Sequence, residues 1–173
     1  MKSCGNGGPN MRDISPYPMR RSDRALSEEE ARAILDKGQF GFLATVGPDG
    51  LPYGVPLSYV VLQNCIYFHC AQQGRKIDNL QHCPMCSFTV VGEVQSAYDN
   101  GFTTWFESAM AFGRIRSVEN TQEKERILRA LAAKYLPGHM EHADHDIARS
   151  FNVTAVYGME IDFVSGKAKK KKN

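Results

Sequence analysis

The sequence predicts a mostly β protein, an antiparallel barrel with peripheral helices, and three observations carry that expectation. Short apolar runs follow one another at close intervals, separated by turn signals rather than by long loops. The run FGFLATV (40–46) is apolar on both faces, so it needs cover from inside and outside. Capped, helix-period segments occur only at the margins of the strand runs and in one stretch between the last two.

The elements can be justified in order. Residues 1–18 are rich in Gly, Pro, Asn and Ser, with little to bury, and read as a disordered arm before a domain spanning 19–166. SEEEARAILDKG (27–38) opens on the capping box Ser27/Glu30 and stops at Gly38, the signature of a short helix. FGFLATV and LPYGVPLSYVVL (51–62) flank GPDG and form a hairpin. Pro52 and Pro56 assign the second arm to an edge, a bulge or a bend. Gln63-Asn64 turns the chain into CIYFHC (65–70), and a loop through Gly74 leads to a short helix, KIDNL. MCSFTVVG (85–92) and TWFESAMAFGRIRSV (104–118) are strands. A helix capped by Asn120 and Glu123 follows, with an apolar face of Ile127, Leu128, Leu131 and Tyr135, ended by Pro137-Gly138. TAVYGMEIDFVSG (154–166) closes the domain, and 167–173 read as a solvated, Lys-rich tail.

Composition excludes several functions. The 173 residues carry 21 basic and 19 acidic side chains, and the excess comes from the tail lysines, so the body has no general attraction for nucleic acid. No apolar run is long enough to span a bilayer, and MKSCGNGGPN lacks an apolar signal core. Five cysteines, odd in number and not framework-spaced, fit reduced thiols in a cytoplasm.

Three clusters could carry chemistry. Arg75-Lys76 opens a helix directly after a strand, where free N–H groups and the positive dipole end suit a phosphate. HCPMC (82–86) suggests a metal or redox site, but no second C-x-x-C exists. The motif also ends a helix and leads into a strand, whereas redox dithiols begin helices; it reads as a structural turn, with no metal assigned. His139, His142 and His145 follow at i, i+3 and i+6, which spreads them around a polar connecting helix rather than on one tight face.

The blocks ATVGPDGLPYGVPLSYV, IYFHCAQQGRKIDNL, CSFTVVG and ESAMAFGRIRSV, in that order and spacing, resemble the FMN-binding split-barrel family related to pyridoxamine 5′-phosphate oxidase. MRRSDRALS (19–27) and YGMEIDFVSGKA (157–168) extend the resemblance to its nitroimidazole-resistance (5-nitroimidazole reductase) branch, over about residues 19–168. The resemblance implies a six-stranded antiparallel split barrel, a homodimer with FMN at the subunit interface, and reduction of small nitroaromatic oxidants. A reduced nicotinamide would bind only transiently, since no G-x-G-x-x-G is present. It places the phosphate on Arg75 and Lys76, and His69 and Cys70 where the strand meets the flavin. Val55, Pro56, Leu57 and Ser58 would hold the ring edge, with Thr45 and Val46 on the neighbouring strand. Ser108 stands where the oxidase has a glutamine touching FMN. His69 is the candidate proton donor. Arg20, Arg21 and Arg24 belong to a segment that the resemblance would fold over the partner's cofactor. The C-terminal Trp and Arg of the oxidase have no counterpart after Tyr157, which points away from oxidation of pyridoxamine phosphate. The same barrel also serves as a non-catalytic flavin or haem carrier.

Overall fold

A computed structural model describes residues 18–171. The expected N-terminal arm therefore lies outside the described residues except for its last position. Eight strands form one curled antiparallel sheet: β1 (Ala25–Leu26), β2 (Gly41–Val46), β3 (Pro52–Leu57), β4 (Val60–Leu62), β5 (Cys65–Ala71), β6 (Met85–Tyr98), β7 (Phe102–Ser117) and β8 (Thr154–Lys169). Their order is β3-β2-β6-β7-β8-β5-β4, with β1 added to the end of β8. Four helices accompany them: α1 (Glu28–Lys37), α2 (Arg75–His82), α3 (Thr121–Tyr135) and α4 (Met140–Ser150).

The architecture is the expected barrel with peripheral helices, but with eight strands in place of six. Two local events explain the difference. The run 51–62 breaks at Ser58-Tyr59 into β3 and β4, and Ala25–Leu26 forms a short extra pair with Gly166 and Lys167. The prolines fall as their chemistry requires. β3 is an edge strand, with one row of backbone groups that no ladder needs.

β8 also runs past its expected end, through Lys169. Ala168 is buried while Lys167 and Lys169 alternate outward, so the first part of the lysine tail is strand. Lys169 bonds the Thr103 hydroxyl and lies over the Trp105 ring, which ties it to β7. β6 and β7 continue past a bulge between Val91 and Val94 into a hairpin arm whose tip packs Tyr98 edge-to-face with Phe102.

The barrel core gathers Leu43, Phe68, Phe88, Val90, Ala111 and Met159 from five strands, and Ile34 and Leu35 of α1 plug one side. A second core lies outside the barrel. There Tyr67 and Val156 project outward from β5 and β8 beneath Ile127, Leu128 and Leu131 of α3. Both caps read from the sequence are present: Ser27 accepts from the Glu30 amide while Glu30 bonds back, and Asn120 accepts from the Glu123 amide.

The sheet has two edges, β3 and β4, joined directly by Ser58-Tyr59. That junction is pinned from both sides. Tyr59 is fully buried, packs edge-on against Phe88 at 4.8 Å, and donates its hydroxyl to the Leu35 carbonyl at the end of α1. The Tyr135 hydroxyl accepts from the Tyr59 amide at 2.7 Å and lies 2.9 Å and 2.8 Å from the carbonyls of Tyr59 and Gln39. Tyr135→Phe is expected to lower stability by about 1–3 kcal/mol, because it strands the partly buried backbone polar groups at the bend. Urea denaturation of the two proteins measures the difference.

Candidate functional site

The site is built where β5 hands the chain to α2. β5 pairs with β8 (His69 with Val156, Cys70 with Ala155), and its side chains alternate. Ile66 and Phe68 enter the barrel core, while Tyr67 and His69 face outward. Tyr67 is covered by α3; His69, two residues further, lies past that cover and remains exposed.

The loop then reaches Gly74, whose φ of +126° is a conformation that side-chain-bearing residues rarely adopt. Gly74 is the N-cap of α2 and provides no side-chain cap, so the leading amides and the positive end of the helix dipole stay open. Arg75 and Lys76 stand on this first turn. The Arg75 guanidinium lies 3.5 Å from an Asp49 oxygen and 5.3 Å above the Tyr53 ring, braced by the β2–β3 turn and the start of β3. Lys76 lies 5.4 Å over the Phe68 ring and has no carboxylate within salt-bridge distance among the described residues. An uncapped helix terminus with two cations, one of them unpaired, is a ready seat for a phosphate or similar anion.

α2 is held in place from behind. Asn79, almost wholly buried, donates its amide to the Thr45 hydroxyl at 3.0 Å, and Thr45 donates in turn to the Tyr53 carbonyl at 3.2 Å. Lys76 also sets the electrostatics of its neighbours. Loss of solvent, then the nearby ammonium, lowers the His69 pKa below its ordinary 6.5, so the ring is neutral at pH 7. Burial raises the Cys70 thiol, and Lys76 offsets part of that rise.

Of the residues expected from sequence, the structure gathers His69, Cys70, Arg75 and Lys76 at this end of the barrel, with Thr45 directly behind α2. The Thr45 side chain points inward at 3% exposure, accepting from Asn79 and donating to Tyr53, so that it positions α2. Val46, next in β2, projects outward. Val55 and Leu57 turn their side chains to the core and leave only edge-strand backbone to a ligand, while Pro56 points outward. Ser58 shares with His69 the lining of an apolar cavity of about 730 Å3 below α3 and α4. Ser108 lies apart, on the outer face of β7 between Val91 and Lys167.

Sequence reasoning missed Asp49, Tyr53 and Asn79. Only Asn79 left a signal, a polar residue beside Ile77 and Leu80 on the buried side of α2. The HCPMC segment ends α2 and starts β6, as read. Cys86 faces the barrel core, its thiol pushed up to about 12 by burial and then by Cys83. The three histidines separate as the helical period requires. His139 and His142 line the cavity, whereas His145 projects into solvent beside Asp146.

The curled sheet, its helices and the cation-bearing α2 terminus define the chain as a split-barrel protein. The pyridoxamine 5′-phosphate oxidase family model matches residues 27–168, and the chain belongs to that family. No curated protein matches it by sequence. Among solved structures it is similar to the flavocytochrome Anf3 of Azotobacter vinelandii (23% identity, 94% of this chain and 77% of that one, TM-score 0.81). It is also similar to a candidate 5-nitroimidazole antibiotic resistance protein of Bacteroides thetaiotaomicron (20%, 84% and 90%, 0.70). A FAD- and haem-binding protein of Mycobacterium smegmatis is a third (18%, 84% and 72%, 0.70).

The His69 titration followed by NMR is expected to have its midpoint below 6.5. Lys76→Ala removes the neighbouring charge and should move that midpoint upward.

Proposed function

We propose that this protein is an FMN-dependent oxidoreductase that reduces small nitroaromatic or related oxidants. The observation that carries the reading is the open N-terminus of α2 with Arg75 and the unpaired Lys76. It fits a flavin mononucleotide phosphate better than a neutral ligand, because two cations and free amides converge there.

When bound, the flavin supplies the electron transfer. The chain's own residues do the rest. Arg75 and Lys76 hold the phosphate, and Asp49 releases the guanidinium as the anion takes its place. The free edge of β3 from Val55 to Ser58 offers backbone groups to the ring edge. The neutral His69 imidazole donates an N–H hydrogen bond to an acceptor on the substrate, and proton delivery falls to its minor imidazolium form. The reductant is a nicotinamide that docks transiently, and the site of action is the cytoplasm. Among the described residues no helix is long and apolar enough to cross a membrane.

The same reading makes the protein a homodimer with the cofactor between subunits. Phe42, Val91 and Met110 lie on the outer faces of the adjacent strands β2, β6 and β7, at 51%, 51% and 36% exposure, and among the described residues no helix covers them. Ser108 sits on that face, so it reaches a cofactor only across such an interface. A non-catalytic flavin or haem carrier is the second reading, favoured by the three imidazoles of His69, His139 and His142 around one apolar cavity.

The purified protein is expected to show flavin bands near about 375 and 450 nm, to bleach anaerobically with NAD(P)H and to recover on addition of a nitro compound. A strong band near about 400 nm instead would establish the haem reading. Lys76→Ala should weaken FMN binding by about 1.5–3 kcal/mol, measured by fluorescence titration; unchanged affinity refutes the phosphate assignment. Light scattering should give about twice the 19.3 kDa chain mass. Met110→Lys should halve that mass and release FMN.

A further inference from the structure

We propose that the cavity between α3, α4 and the outer end of β5 binds an uncharged fused-ring aromatic compound, larger than a single nitroimidazole, against His69. This deepens the flavin reading by giving the substrate class, and rests on it for the reaction but not for the binding.

Size is the first argument. The cavity holds about 730 Å3, within the roughly 300–1,000 Å3 of sites that enclose drug-sized molecules. One nitroimidazole ring would leave most of that space to water against apolar walls. The second argument is the character of those walls. Leu128, Leu131, Ala143 and Ile147 make the floor, with Tyr135 and Leu136 beside them, so a ligand must offer apolar faces.

Charge is the third. Among the described residues no Lys or Arg lines the cavity. The polar groups at its rim are Ser58, His69, His139, His142, Ser150 and Thr154, which can donate or accept hydrogen bonds, and the carboxylate of Asp146, already shared with Arg149 at 3.3 Å and His145 at 3.4 Å. An anionic ligand would meet a carboxylate whose neighbouring cation, Arg149, is already paired with it. The depressed basicity of His69 agrees, since a neutral imidazole at the inner end leaves an apolar ligand no buried charge to face. The occupant implied has flat apolar faces and polar substituents at one edge, such as a fused-ring nitroarene or quinone.

The test uses a matched pair of fluorescent probes, N-phenyl-1-naphthylamine and its 8-sulfonate, titrated into the full-length protein. The neutral probe is expected to bind at one site per chain, and the sulfonate about tenfold or more weakly. Leu136→Glu and Ala132→Glu, both on the cavity wall and outside the cores, should each weaken the neutral probe by about tenfold or more. A fused-ring nitroarene should displace it at lower concentration than a single-ring nitroimidazole. Equal binding of the two probes, equal displacement by the two nitro compounds, or neutral-probe binding indifferent to both Glu variants would each overturn the proposal. The last result would place the probe on the exposed Phe42–Met110 face. FMN uptake is measured in parallel. Cavity binding that persists in a protein unable to take up FMN supports the cavity and overturns only the flavin reading.

Discussion

The rest of the structure depends on the closure of the barrel at Ser58-Tyr59. A sheet of this length has two edges, and here they are consecutive in sequence, so closure rests on one bend instead of a ladder. A bend exposes backbone groups that neither strand can pair. Tyr135 supplies the missing partners from α3, and the Tyr59 hydroxyl supplies another to the end of α1. Two helices far apart in sequence are thereby fixed to the same point. Ser58, the residue before the pinned one, is placed at the cavity mouth opposite His69 as a consequence.

The candidate site is electrostatically economical. Asp49 and Tyr53 hold Arg75 without burying it, so the guanidinium stays ordered yet available. The exposed pair with Asp49 is weak and yields readily to a better anion. Lys76 lacks such a partner and acts on its surroundings instead, adding to the desolvation that lowers the His69 pKa and restraining the rise in the Cys70 thiol. An anion at α2 would relax both effects. Phosphate occupancy and the protonation of His69 are therefore linked through one side chain.

Much of the fold was legible because its signals are local. The two helix caps, the GPDG and Gln63-Asn64 turns and the proline-marked edge of β3 each sit within a few residues of their cause. The extra strand appeared where a distant interaction intervened: LPYGVPLSYVVL has no internal breaker at Ser58-Tyr59, and what splits it is a tyrosine 76 residues away. Lys167 and Lys169 read as tail because composition outweighs alternation in so short a segment. Ala168 between them is the only local clue that the strand continues. In the site, Arg75 and Lys76 could be read since a strand, a glycine and a basic pair are contiguous. Asp49 and Tyr53 could not, because they approach Arg75 only once β2 and β3 are folded against α2.

The run FGFLATV poses the remaining demand. Its two apolar faces require two covers, and the structure provides one. Leu43 is sealed in the barrel, while Phe42 and Val46 face outward with no described residue sealing them. The helices that could have covered them are spent elsewhere, α1 against β7 and β8 and α3 over β4 and β5. Phe42, Val91 and Met110, with Thr89 between Phe42 and Met110, form a largely apolar surface that no other described residue buries, and this is the face the proposed dimer would use. Two hydroxyl-bearing residues interrupt that surface, Thr89 and Ser108. A hydroxyl placed among residues that exclude water, on the face opposite to the barrel core, makes structural sense when the covering surface brings a polar partner to meet it. In the proposed homodimer, dimerisation and completion of the cofactor site would be one event rather than two.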